Sequence, residues 1–123
     1  MLDRYHLHAG DAFKLTLGKT YDVALLTSFL HHFDRQTCVA YLANLRSNLK
    51  PGGLVLTVDC IAPDERTDSF EACEFSLTML CTTPHGDVYT FAEFSQMFQQ
   101  AGYSESSLIN LGEGLDQVIR TVA

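Results

Sequence analysis

Residues 21–27, Tyr-Asp-Val-Ala-Leu-Leu-Thr, decide the fold. Val23 to Leu26 is an unbroken apolar run between Asp22 and Thr27. It is too short for a helix and lacks the alternation of a half-solvated strand, so it predicts a strand covered on both faces, as in a parallel sheet. A second run of this kind is Leu54-Val55-Leu56-Thr57-Val58-Asp59. Between the two, Asp34 stands as an N-cap, and Arg35 to Leu49 places Cys38, Tyr41, Leu42, Leu45 and Leu49 at spacings of three and four. That spacing predicts an amphipathic helix, ended by the turn Lys50-Pro51-Gly52-Gly53. Strand, helix and strand in this order make the crossover unit of a parallel sheet.

Working outward, Tyr5 to Ala9 alternates large side chains and stops at Gly10-Asp11, which predicts a first strand running into a turn. Downstream, Ala62 to Asp68 is a polar loop, and Phe70 to Cys81 predicts a helix with Phe70, Cys73, Leu77 and Leu80 or Cys81 on one stripe. Thr82 to Asp87 breaks it. Thr90 with Glu93 forms a capping-box pattern that starts another helix, whose Phe94, Met97, Phe98 and Ala101 share a face and which Gly102 ends. Ser106 to Leu111 and Gln117 to Val122 are closing strands joined by Gly112-Glu113-Gly114. The expectation is an α/β layer fold with a mostly parallel sheet, a C-terminal antiparallel hairpin and helices on both faces.

At 123 residues, with 46% hydrophobic and 19% charged, the chain supports one domain and no second. Eight Lys plus Arg against fifteen Asp plus Glu give a net charge of −7, which argues against nucleic acid and against an anionic membrane surface as partners. No apolar run approaches the ~20 residues of a membrane span, and the start, Met-Leu-Asp-Arg, has an acid where a signal peptide needs base; the expected location is cytoplasmic. Cys38, Cys60, Cys73 and Cys81 form no C-x-x-C and no cluster with histidine, so they read as reduced, mostly buried thiols and no metal site is expected.

Ligands of such sheets bind beyond the carboxyl ends of the strands, which directs attention to Asp11–Phe13, Thr27–Asp34 and Asp59–Asp64. By residue type alone, His31 and His32 read equally well as plain loop histidines. Asp59 reads as a strand-end carboxylate, and the Phe and Met stripes read as core.

Three motifs sharpen this: Gly10-Asp11-Ala12-Phe13, the stretch from Tyr21 to Asp34 with Leu30-His31-His32-Phe33, and Leu49-Lys50-Pro51-Gly52-Gly53. In order, and continuing through Gly86-Asp87-Val88-Tyr89-Thr90, they resemble the C-terminal part of a class I S-adenosylmethionine-dependent methyltransferase of the small-molecule O-methyltransferase group. The resemblance implies a truncated Rossmann-like methyltransferase sheet. It also implies that Asp11 accepts the adenine amino group, that Ala12 and Phe13 wall that ring, and that Thr27 and Ser28 lie beside the methionine moiety. His31 matches the general base of the plant-type members and Asp59 an acidic position that orients it. Such a pair is chemically coherent: imidazole titrates near working pH, and a carboxylate fixes its tautomer.

Departures accompany the match. Val88, with Asp87 adjacent, stands where the family has a second acidic assistant, and His32-Phe33 replaces the usual Asp-Trp. The family's G-x-G-x-G loop would lie before Met1. In the family's strand order, 3-2-1-4-5-7-6, the chain keeps the equivalents of 3, 4, 5, 6 and 7. The expected function is therefore the C-terminal portion of a small-molecule O-methyltransferase, not active alone, with a catalytically silent binding or dimerisation module as the alternative. The 21–27 strand becomes a bare sheet edge, and three outcomes are expected: Tyr5–Ala9 moves beside it, two chains pair or exchange that N-terminal strand as a homodimer, or a partner supplies the missing half.

Overall fold

The computed structural model describes residues 4–18, 20–112, 114 and 116–123. Its elements are β1 (Tyr21–Thr27), a 3-10 turn (Leu30–His32), α1 (Arg35–Arg46), β2 (Leu49–Ala62), a 3-10 turn (Arg66–Asp68), α2 (Phe70–Thr82), β3 (Tyr89–Thr90), α3 (Phe91–Gln100), β4 (Glu105–Ile109) and β5 (Asp116–Val122). The sheet runs β1-β2-β5-β4, with β3 beside the end of β2. β1 and β3 lie parallel to β2, while β5 is antiparallel to both β2 and β4. This mixed α/β sheet corresponds to strands 4-5-7-6 of the order implied by the resemblance.

The helices at Asp34 and Thr90 start where their caps predict, and Ser69, a cap not read from the sequence, starts α2. Asp34 accepts from Thr37 N at 2.8 Å, Ser69 accepts from Ala72 N at 3.1 Å, and Thr90 with Glu93 closes a full capping box. These contacts satisfy amides that a helix start leaves without partners. Leu26, Val55 and Ile119 of one sheet face are buried with Leu42 of α1 and Phe94, Met97 and Phe98 of α3 in the main core. On the opposite face, α2 covers only the carboxyl end, where Cys60 and Ala62 meet Ala72, Val88 and Phe75. Farther back on that face Val23 is 49% and Leu25 63% exposed.

Three expectations change. Tyr5–Ala9 forms no strand: these residues are irregular and exposed, and among the described residues only β2 pairs with β1. A short alternating segment cannot hold a strand without a neighbouring ladder to join. The exchanged N-terminal strand therefore has no preformed counterpart here.

Second, α1 ends at Arg46, and Leu49–Gly53 belongs to β2 rather than to a turn. The register slips there, from Tyr21↔Leu49 to Val23↔Leu54, so the extra residues of Lys50-Pro51-Gly52-Gly53 bulge out. Gly52 at φ +74° supplies the bend, and Gly53 lies against Lys50 O and Asp22 O, where a Cβ would come within 2.9 and 3.1 Å.

Third, the apolar stripe of α2 read from the sequence faces solvent, while Met79, also read as core, is buried. Phe70, Leu77 and Leu80 are exposed, as are Cys73 and Cys81, while Ala72 and Met79 are buried. The helix carries two apolar stripes, and periodicity cannot say which one meets the sheet. The expected hairpin turn includes Glu113, which lies outside the described residues.

Candidate active site

β1 ends in a sharp change of direction. Ser28 donates its backbone N–H to Val58 O at 2.8 Å and adopts φ +47°, the left-handed region that a serine enters at a steric cost. The chain then drops Leu30 fully into the core and holds His31 at 5% exposure in the 3-10 turn. On β2, strand alternation puts Asp59 on the same face as Val55 and Thr57, under α1 and α3, with 1% exposure. Twenty-eight residues apart in sequence, the two side chains meet: His31 Nδ1 lies 2.5 Å from Asp59 Oδ1.

The partner sets the tautomer. An ionised carboxylate only accepts, so Nδ1 carries the proton and Nε2 keeps its lone pair. Nε2 has no hydrogen-bond partner among the described residues. Asp59 Oδ1 also accepts from Cys60 N at 2.9 Å, whereas Oδ2 is buried without a protein partner. The imidazole stands edge-on to Phe75, centroids 5.1 Å apart at 84°, and beside the exposed ring of His32 at 4.3 Å.

Three elements grip the backbone around His31. The Cys38 thiol of α1 donates to Leu30 O at 3.3 Å, the Tyr89 hydroxyl of β3 to Phe33 O at 2.7 Å, and the Asp87 amide to His31 O at 3.0 Å. Burial pushes the Cys38 thiol up to about 12 and raises the Tyr89 phenol, so both remain protonated donors at neutral pH. Neither residue was singled out from the sequence. The partner of Tyr89 is 56 positions away, and Cys38 reads simply as one member of an apolar stripe.

The departures in the 86–90 stretch resolve geometrically. Val88 is 1% exposed among Cys60, Ala62 and Ala72. The Asp87 carboxylate is occupied elsewhere: it accepts from Ser76 Oγ at 2.6 Å and Val88 N at 2.8 Å, and lies 3.4 Å from Arg66. Neither supplies a second acid to His31.

The remaining residues singled out from the sequence gather on one side of the His31 turn. Phe13 packs at 5.0 Å from Phe33, 5.2 Å from Tyr41 and 6.1 Å from Phe29. Ala12 is exposed beside it, as are Thr27 and Ser28 at the end of β1. Asp11 accepts from Phe13 N at 3.0 Å and lies 3.6 Å from Lys14, with its carboxylate half open to solvent. It therefore retains capacity for a further donor. The Asp11 acceptor and the Phe13 ring thus stand two residues apart on one loop, joined by the Phe13 N to Asp11 Oδ1 hydrogen bond.

On the other side, Phe75 lines a cleft of about 490 Å³ with Cys60, Glu71, Glu74, Thr78, Gly114 and Asp116. A second cleft, about 520 Å³, shares Glu71 and Gly114 with it. Together they provide an acidic, partly aromatic hollow, and Phe75, whose ring meets the His31 imidazole, forms part of the wall of the first.

Comparisons with known proteins identify the family and the fold. The sequence profile of a family described as an O-methyltransferase domain matches residues 2–104. The chain is 32% identical over 116 residues to acetylserotonin O-methyltransferase of Gallus gallus, covering 94% of this chain and 33% of that protein. It is 45% identical, with a TM-score of 0.93, to the structure of a Nostoc punctiforme protein assigned provisionally to the O-methyltransferases, covering 98% of this chain and 37% of that one. The fold is also that of human N-acetylserotonin methyltransferase in complex with SAM, at 24% identity and a TM-score of 0.86 over 94% of this chain and 32% of that one. The chain thus spans about a third of the length of the curated relatives it matches.

Proposed function

The chain belongs to the O-methyltransferase domain family, and from that premise we propose that it forms the C-terminal part of an S-adenosylmethionine-dependent small-molecule O-methyltransferase and does not act alone. The observation that carries the proposal is the buried 2.5 Å contact between His31 and Asp59, which leaves Nε2 as the base. Methylating a hydroxyl requires its proton to leave as the oxygen attacks, and a neutral imidazole within hydrogen-bond reach accepts that proton. Asp59 holds the ring and stabilises the imidazolium that results. When bound, S-adenosylmethionine supplies the electrophilic methyl group. Asp11, Ala12 and Phe13 would hold its adenine, and Thr27 and Ser28 would lie near the methionine end. The clefts beside Phe75 are where the hydroxyl substrate would sit.

Titration calorimetry with S-adenosylhomocysteine tests the cofactor half. Binding that Asp11→Ala abolishes supports the proposal, and no heat at millimolar ligand refutes cofactor binding by this chain. The second reading, a catalytically silent binding or dimerisation module, draws on Val88 standing where the family has an acid; tight binding of S-adenosylhomocysteine sinks it.

For partners, we propose that the edge of β1 facing away from β2, along Val23 to Thr27, pairs with a second copy or with a chain supplying further strands. Light scattering that finds a strict monomer at high concentration removes the homodimer. No helix among the described residues is long and apolar enough to cross a membrane. The four cysteines are free, which suits the reducing cytoplasm we propose as its compartment.

A further inference from the structure

The loop between α2 and β3 touches the histidine-bearing turn more closely than any side chain would allow. Gly86 is buried, and a Cβ built on it would sit 2.4 Å from His31 O and 3.2 Å from His32 C. Its φ is not in the left-handed region, so a glycine stands here for space and not for backbone freedom. The next residue, Asp87, uses the proximity: its amide donates to His31 O at 3.0 Å. The loop is in turn fixed from behind. Gly86 N donates to Thr83 Oγ1 at 2.7 Å, and Thr83 Oγ1 donates to Met79 O at 2.7 Å. The Asp87 carboxylate is anchored to Ser76 of α2 and to Arg66, which also reaches Glu93 of α3 at 2.7 Å.

We propose that Gly86 is a positioning residue for His31: by admitting the loop against the His31 carbonyl, it fixes the height of the imidazole and thereby the Nδ1–Asp59 hydrogen bond. The inference rests on the reading of His31 and Asp59 as a functional pair. A hydrogen bond of this length tolerates little displacement, since its strength falls steeply with misalignment. A methyl group at position 86 meets backbone atoms, which cannot rotate away, so the turn must shift. Asp87, which lies next to the position of the family's second acid, serves as the fastening of this loop rather than as an acid.

The test uses ¹⁵N-histidine NMR on the full chain. In the native protein, His31 is expected to show an Nδ1–H resonance slow to exchange with water, and Asp59→Asn should remove it. If the native resonance is missing or survives Asp59→Asn, the pair itself is misread. Given that signal, Gly86→Ala should abolish it or speed its exchange by about tenfold or more while the amide spectrum stays folded. Gly53→Ala is the control. It crowds another close backbone contact, 2.9 Å from Lys50 O at the far end of β2, and should lower stability without moving the His31 signal. A native-like signal in folded Gly86→Ala, or equal loss in Gly53→Ala, overturns the proposal.

If Gly86→Ala does not fold, exchange of the Asp87 amide and of the His31 Nδ1–H can be compared in the native chain across sub-denaturing urea. A common opening supports the latch, and independent openings refute it.

Discussion

Replacing His31 by Phe keeps a ring against Phe75 but leaves Asp59 as a carboxylate at 1% exposure with no counterpart. One oxygen retains only the Cys60 amide, and the other has no protein partner. Removing one member of a buried ionic or charge-assisted pair costs about 3–5 kcal/mol, mostly through the stranded group. In an Asp59→Asn background the same His31→Phe change strands a neutral amide and should cost only about 1–3 kcal/mol. The two changes should therefore be non-additive by about 2 kcal/mol. Urea unfolding at neutral pH, followed by circular dichroism, reads this directly. With a slope of about 1.5 kcal/mol/M, the single His31→Phe variant loses about 2–3 M in midpoint. Such a loss is resolvable against the roughly 6–18 kcal/mol expected for a domain of this length. Additivity within about 0.5 kcal/mol across the cycle would show that the 2.5 Å contact carries no coupling, and the reasoning would be refuted.

Other outcomes follow from the same geometry. Under native conditions a thiol reagent should label Cys73 and Cys81 and spare Cys38 and Cys60; labelling of all four without unfolding contradicts the buried assignment. Burial pushes the Cys38 and Cys60 thiols up to about 12 from an unfolded value of about 8.5, so their stabilising contribution is complete below about pH 8.5 and is lost as pH rises toward 12. A Cys38→Ala/Cys60→Ala variant should show a shallower alkaline decline in urea midpoint than the native chain. Thr90→Ala, which opens the capping box of α3, should cost about 1 kcal/mol by thermal or urea unfolding. Leu42→Ala, at 0% exposure under α3, should cost about 2–5 kcal/mol; a change under 1 kcal/mol would place Leu42 outside the core.

The sequence by itself determined a good deal. The apolar runs at 21–27 and 54–59 became β1 and β2, and the caps Asp34 and Thr90 start helices because a side-chain oxygen at those positions meets amides three residues on. The placement of His31 just beyond β1 was legible too, since local pattern fixes element type and element order fixes which strand ends adjoin, whereas Asp59, read as a strand end, lies inside β2, which runs on to Ala62. What the sequence could not settle depends on contacts between distant residues. Tyr5–Ala9 has the alternation of a strand, yet no neighbour offers it a ladder. α2 has two apolar stripes, and only docking beyond the end of β2 decides that Ala72 and Met79 go inward while Phe70, Leu77 and Leu80 face water. The grip on the His31 turn by Cys38, Tyr89 and the Asp87 amide is equally tertiary. Periodicity reports which residues share a face, but which face meets which partner, and at what distance, is set by how the layers close on each other.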